Sequence, residues 1–212
     1  MLRPWQVGLR WTWVTWAERG VTTRRPKTLE AVLAHALAQQ AYVLLEIDQP
    51  EQARELAEHA VGVGGTAVPP VLAAWLKAVV GEITAMGSDA SAVERCFDRA
   101  ARLLPADPWD PAVPYIMLDE FHLARWHGTA LARLGDESAI VRLQYALTGM
   151  DSSFVRARAQ LHIELAHALI AADHVDQARR EVAKAKTLAV RVGSARQRRR
   201  ARSLELQLNQ AS

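Results

Sequence analysis

A chain of 212 residues, half hydrophobic and only 6% aromatic, can bury one sizeable core without needing two domains. Its formal net charge of +3 is too small to argue for a nucleic-acid partner by itself, and its single cysteine, Cys96, excludes an internal disulfide framework. That cysteine usage, no apolar run of the roughly 18–20 residues a membrane span needs, and no secretory leader pattern lead us to expect a soluble, cytoplasmic protein.

Residues 1–27 hold four of the seven tryptophans, and Trp5, Leu9, Trp13 and Trp16 fall on one helical face. They read as an atypical Trp/Arg-rich segment, either a cap on the first helix pair or a non-homologous stretch. From residue 28 the pattern changes. Residues 28–47 place Leu29, Val32, Leu33, Leu37, Ala41, Leu44 and Leu45 at helical spacing, and Pro50 opens a partner helix over 50–62. Pro70 opens a third helix reaching about 86, answered by 89–104. After the proline-rich loop 105–114, helices are expected over about 114–134 and 137–149, then 153–172 and 175–192. A basic helix comes after Gly193, and 194–212 reads as a capping segment. No stretch sustains period-two alternation, so the class expected is all-α.

Paired helices at a roughly fixed period point to a repeat architecture. The sharpest unit is LHIELAHALIAADHVDQARREVAKAKTLA, residues 161–189, with small or apolar residues at Leu165, Ala166, Leu169, Ala178, Val182 and Ala185. This unit resembles the tetratricopeptide repeat. In the same frame Ala41, Gly81, Gly128 and Ala166 take the small position of each first helix, at spacings of 40, 47 and 38 residues. These exceed the roughly 34 residues of the standard repeat. The resemblance implies a right-handed α-solenoid of about four degenerate helix pairs over 28–193. The stretches LPADPWDPAVPYIMLDEFHLARWHGTALARLGD and MDSSFVRARAQLHIELAHALIAADHVDQARREVAKAK also look like the tetratricopeptide-like sensor region of bacterial regulators that carry a phage-repressor (XRE) type helix-turn-helix. That resemblance implies a module receiving a peptide, protein or small-molecule signal, with homodimerisation as an option. With no helix-turn-helix before residue 28, direct operator reading is not expected of this chain.

The repeat family's groove positions, carried residue by residue, fall on His35, Gln39 and Tyr42 in the first pair and on Trp75 and Glu82 in the second. In the third they fall on His122, Arg125, Trp126, Thr129 and Arg133, and in the fourth on Gln160, Glu164 and His167. Arginine and tryptophan in such a face suit an anionic or peptide ligand; the competing reading makes Trp75 and Trp126 packing residues. Arg196, Arg198, Arg199, Arg200 and Arg202 form a cluster without an internal acid. It reads first as a solvated capping helix, with Leu204, Leu206 and Leu208 against the last repeat, and second as a phosphate-contacting surface for nucleic acid. There is no HExxH, CxxC, GxSxG or phosphate loop. We therefore expect no metal, no cofactor and no catalytic residues, and a non-enzymatic protein.

Overall fold

The computed structural model describes residues 29–210, so expectations for the Trp/Arg-rich segment 1–27 lie outside the described residues. Regular structure among the described residues is helical, apart from one isolated bridge between Trp109 and Met117. The chain divides into two compact units within what the repeat pattern reads as one array.

The first unit, Met1–Met86 with Glu94–Asp119, holds α1 (Leu29–Glu46), α2 (Pro50–Gly64), α3 (Pro70–Thr84) and all but the first turn of α4 (Ala90–Leu103). α1 and α2 bury chiefly alanines: Ala31, Ala34, Ala38 and Ala41 on one helix, Ala53, Ala57 and Ala60 on the other. Without long side chains between them, two helix backbones can approach closely. α3 is the core of the unit, buried on nearly every side from Val71 to Ile83. At Gly81 an added Cβ would lie 2.8 Å from the Phe97 ring, so the small-residue position expected there is a real close approach between α3 and α4.

The second unit, Gly87–Val93 with Glu120–Ser212, holds α5 (Glu120–Leu134), α6 (Ser138–Gly149), α7 (Val155–Ala171), α8 (Val175–Arg191) and α9 (Ala195–Gln210). Its core joins Leu131, Leu143, Leu161, Leu165, Leu169, Val182, Leu204 and Leu208. α9 packs on α8 and α7 through Ala201, Leu204 and Leu208, whereas Leu206 is 54% exposed. A residue two positions from Leu204 points about 200° around the helix, so the three leucines cannot share a face.

The turns repeat with the helices. Asp48, Gly135, Asp173 and Gly193 all have positive φ. After each, the next N–H reaches back to a carbonyl of the last helical turn: Gln49 to Leu44, Asp136 to Leu131, His174 to Leu169 and Ser194 to Ala189. This is the double-bonded left-handed helix stop. The expected helix start near Pro114 is not found; α5 begins at Glu120. Asp107 and Asp110 accept bonds from the backbone N–H groups of Trp109 and Ala112, and Leu118 N–H donates to Pro108 O. The loop thus closes on itself, burying Ile116 and Leu118 alternately, as an extended segment does.

One buried polar group stands out. Ser194 Oγ caps α9 by accepting from Gln197 N–H, at 3.3 Å, in a Ser-x-x-Gln capping pattern. In that pattern the glutamine side chain answers the serine N–H, but Ser194 N–H is already given to Ala189 O. The Gln197 carboxamide is therefore left over: it is 0% exposed, and neither its oxygen nor its nitrogen finds a partner among the described residues. Gln197→Met, which keeps the volume and removes the stranded dipole, is expected to stabilise the protein by about 1–2 kcal/mol, a rise of a few degrees in melting temperature. A fall in melting temperature would mean that a buried water satisfies the amide.

Candidate functional site

In the first unit the first-helix residues close on one another. Gln39 Nε2 lies 3.3 Å from His35 Nε2, one turn away on α1. The His35 ring stands 5.1 Å from Trp75 of α3 and 4.6 Å from Tyr115 of the loop, tilted to both. Tyr42 Oη donates to Glu82 Oε2 at 2.7 Å, linking α1 to α3 a turn further on. Trp75 is only 3% exposed. These five positions therefore form a packed polar-aromatic layer, in which Trp75 is an interior wall. Burial lowers the His35 pKa to about 4, so the imidazole is neutral at pH 7, and burial also raises the Tyr115 phenol. Tyr115 was not among the groove positions, since it comes from the irregular loop.

In the second unit the faces of α5 and α7 keep their polar side chains nearer to solvent. His122, Arg125, Trp126 and Thr129 are half-buried and Arg133 is exposed; on α7, Gln160 and Glu164 are half-buried and His167 is exposed. The Thr129 hydroxyl donates to its own helix at Arg125 O (2.9 Å), while the His122 ring meets Phe154 edge-on at 6.0 Å. Behind them α5 is held close to α6: a Cβ on Gly128 would lie 2.7 Å from Leu143 Cγ.

α9 completes this face in a way the repeat frame did not indicate. Arg200 Nη1 lies 3.0 Å from Glu164 Oε1, and Arg196 is half-buried one turn earlier on α9. Burial alone would raise the Glu164 carboxyl, but Arg200 and Arg133 outweigh it and hold the group below the usual carboxylate range. Arg196 is pushed down to about 10 by burial and by the like charges of Arg200 and Arg199, with Glu164 opposing. The arginine cluster thus divides. Arg196 and Arg200 turn inward, while Arg198, Arg199 and Arg202 are exposed. The signal was present in the sequence: Arg196 and Arg200 stand eight and four residues before the buried Leu204.

Other titratable groups serve the packing of helices. His162 Nδ1 lies 2.6 Å from Glu181 Oε2, and Lys184 Nζ donates to Glu181 Oε1 at 2.7 Å, tying α7 to α8. Cys96 is half-buried beside Gly81, and burial raises its thiol pKa. Among the described residues no group of three or more His, Cys, Asp or Glu side chains is placed to hold a metal ion, and no helix is long and apolar enough to cross a membrane.

No protein-family model matches the chain, and no curated protein does either. A solved structure of a tetratricopeptide-repeat protein, the MamA RS-1 ArsTM double mutant, is similar at 14% identity with a TM-score of 0.50. The match covers 87% of this chain and 97% of that one. The fold is tetratricopeptide-like. At that identity the likeness speaks for the fold alone, and the fold agrees with the antiparallel helix pairs and their close glycine contacts described above.

Proposed function

We propose that this chain is a non-catalytic binding module that captures a peptide, a protein segment or a small-molecule signal on the first helices of its repeats, and that it forms the sensory part of a regulator. The observation that carries this reading is the unequal use of the two helix sets in the second unit. The second helices α6 and α8 turn alanines, Leu143 and Val182 inward. Most of their remaining side chains are solvated. The first helices α5 and α7 instead hold Arg125, Trp126, Gln160 and Glu164 half-buried. Polar and aromatic groups held at that depth are suited to orient a ligand while an apolar surface is covered. The regulatory role rests on the resemblance to sensor regions of helix-turn-helix regulators.

A thermal-shift screen of the full chain against peptide and metabolite pools tests the reading. A ligand is expected to raise the melting temperature of the parent by several degrees, because binding stabilises only the state that binds. The shift should disappear in Arg125→Ala and Trp126→Ala. A well-folded protein that responds to no pool, or variants that respond as the parent does, would remove ligand capture at α5.

A further inference from the structure

We propose that the outer face of α1 is the seat of the chain's own Trp/Arg-rich segment, with residues 4–19 laid against it as a helix that caps the first helix pair. The proposal does not depend on the binding-module reading above.

The first argument is that α1 is apolar on the side where a terminal helix is normally polar. Its buried residues Ala31, Ala34, Ala38, Ala41 and Leu45 recur at spacings of three and four and face inward. On the opposite side Leu29, Val32, Leu33, Val43 and Ile47 form a second stripe, and each of them is between 43% and 79% exposed. Ala36 and Gln40 complete that stripe, so a single polar side chain interrupts it. A helix that is hydrophobic all round is a buried helix. The end helices of stacked repeats present a polar outer face instead. α9 does so: Arg198, Arg199, Arg202, Ser203 and Gln207 are exposed there, and Leu206 is the large apolar residue among them. α1 breaks that rule over its whole length.

The second argument says what covers the face. The Trp/Arg-rich segment runs directly into α1, and in its sequence Pro4 suits a helix start and Gly20 a stop. As a helix, residues 4–19 would span about 24 Å, and the α1 stripe from Leu29 to Ile47 spans about 27 Å. Residues 21–28 can bridge up to about 28 Å, enough for an antiparallel return, and the tether makes the encounter intramolecular. Trp5, Leu9, Trp13 and Trp16 supply the apolar side of the contact. Charge agrees as well. Residues 1–28 carry six basic side chains and one acidic, Glu18, whereas residues 29–64 carry six acidic and one basic, Arg54. Arg54 is paired with Glu58 at 3.1 Å. Glu30, Glu51 and Glu55 are exposed and make no ion pair among the described residues. Opposite charges around an apolar contact favour this pairing, and a second copy of the chain would instead bring two acidic surfaces together.

Hydrogen exchange of the full chain, read by mass spectrometry, tests the proposal. The comparison is with a Leu33→Gln, Val43→Gln double variant; both positions are exposed and glutamine suits a helix, so the fold is retained. Amides of residues 5–19 are expected to exchange slowly in the parent and about tenfold or more faster in the double variant, with α2 and α3 protected alike in both. Trp13→Ala combined with Trp16→Ala should release the same amides, and Val141→Gln, an exposed apolar position on α6, should leave them protected. Equal exchange of residues 5–19 in the parent and the double variant would overturn the proposal. So would a parent that sediments as a dimer and a double variant that sediments as a monomer, with residues 5–19 exchanging fast in both, since the face would then belong to a second copy.

Discussion

Lowering the pH from about 6.5 to 4 is expected to cost the first unit about 2–3 kcal/mol of stability, and His35→Phe is expected to remove that loss. Burial lowers the His35 pKa from 6.5 to about 4 in the folded chain. Between those values the unfolded state binds the proton and the folded state does not, so stability rises with pH across the window and falls on acidification. Above 6.5 neither state is protonated and the contribution is constant. The full shift corresponds to about 3 kcal/mol, reduced somewhat because the ring retains some contact with solvent. Its neighbours explain the burial: Trp75 and Tyr115 flank the ring, Gln39 meets its Nε2, and Tyr42 Oη spends the Glu82 oxygen on a bond of its own. Hydrogen-exchange protection of α1 and α3, tracked from pH 6.5 to 4, reads this unit directly. Carboxylates titrate in the same range, so the informative quantity is the difference between parent and His35→Phe. Identical acid sensitivity in the two proteins would mean that the imidazole is not the group being protonated.

How much of the fold is legible in the sequence depends on which forces are local. Most helix limits agree with the structure to within about two residues, because the apolar period of 3.6 and the Pro50, Pro70, Gly135 and Gly193 boundaries act within a few residues of themselves. The glycine positions 81 and 128 were legible for the same reason, through their place in the repeat. The start of α5 was not. Pro114 suits a first helical turn, but Asp107, Asp110 and the Trp109–Met117 bridge commit that backbone to a closed loop, and such polar side-chain bonds leave no period in a sequence. Tyr115 reaches His35 from about 80 residues away, a pairing that helical period cannot express. The inward turn of Arg196 and Arg200 is an intermediate case. Their spacing to Leu204 was visible, but a run of arginines reads as a solvated face until Glu164 is known to stand opposite.

Gly128→Ala is expected to destabilise the protein by about 1–2 kcal/mol, although the same change in a solvated helix stabilises by up to about 1 kcal/mol. The sign turns on space. A Cβ at 128 would fall 2.7 Å from Leu143 Cγ, 2.9 Å from Cδ2 and 3.1 Å from the Leu143 backbone nitrogen. Leu143 is fully buried in the core of the second unit, so neither its side chain nor its backbone can yield cheaply. Overpacking of this kind costs about 1–3 kcal/mol and exceeds the propensity gain. Gly81→Ala should behave alike against the Phe97 ring at 2.8 Å, while Gly62→Ala, with nothing within 4 Å, should stabilise. Chemical denaturation of the three variants separates the two effects, and a gain at 128 equal to that at 62 would show that α5 and α6 are not held at this distance. Leu143→Ala supplies the complementary measurement. Alone it should cost about 2–5 kcal/mol by leaving a cavity. Combined with Gly128→Ala it should cost less than the sum, since the new methyl occupies part of the space the leucine vacates. The close approach would then be established as a property of the residue pair, and with it the mechanism by which this helix pair holds α5, with its half-buried polar face, at a fixed distance from α6.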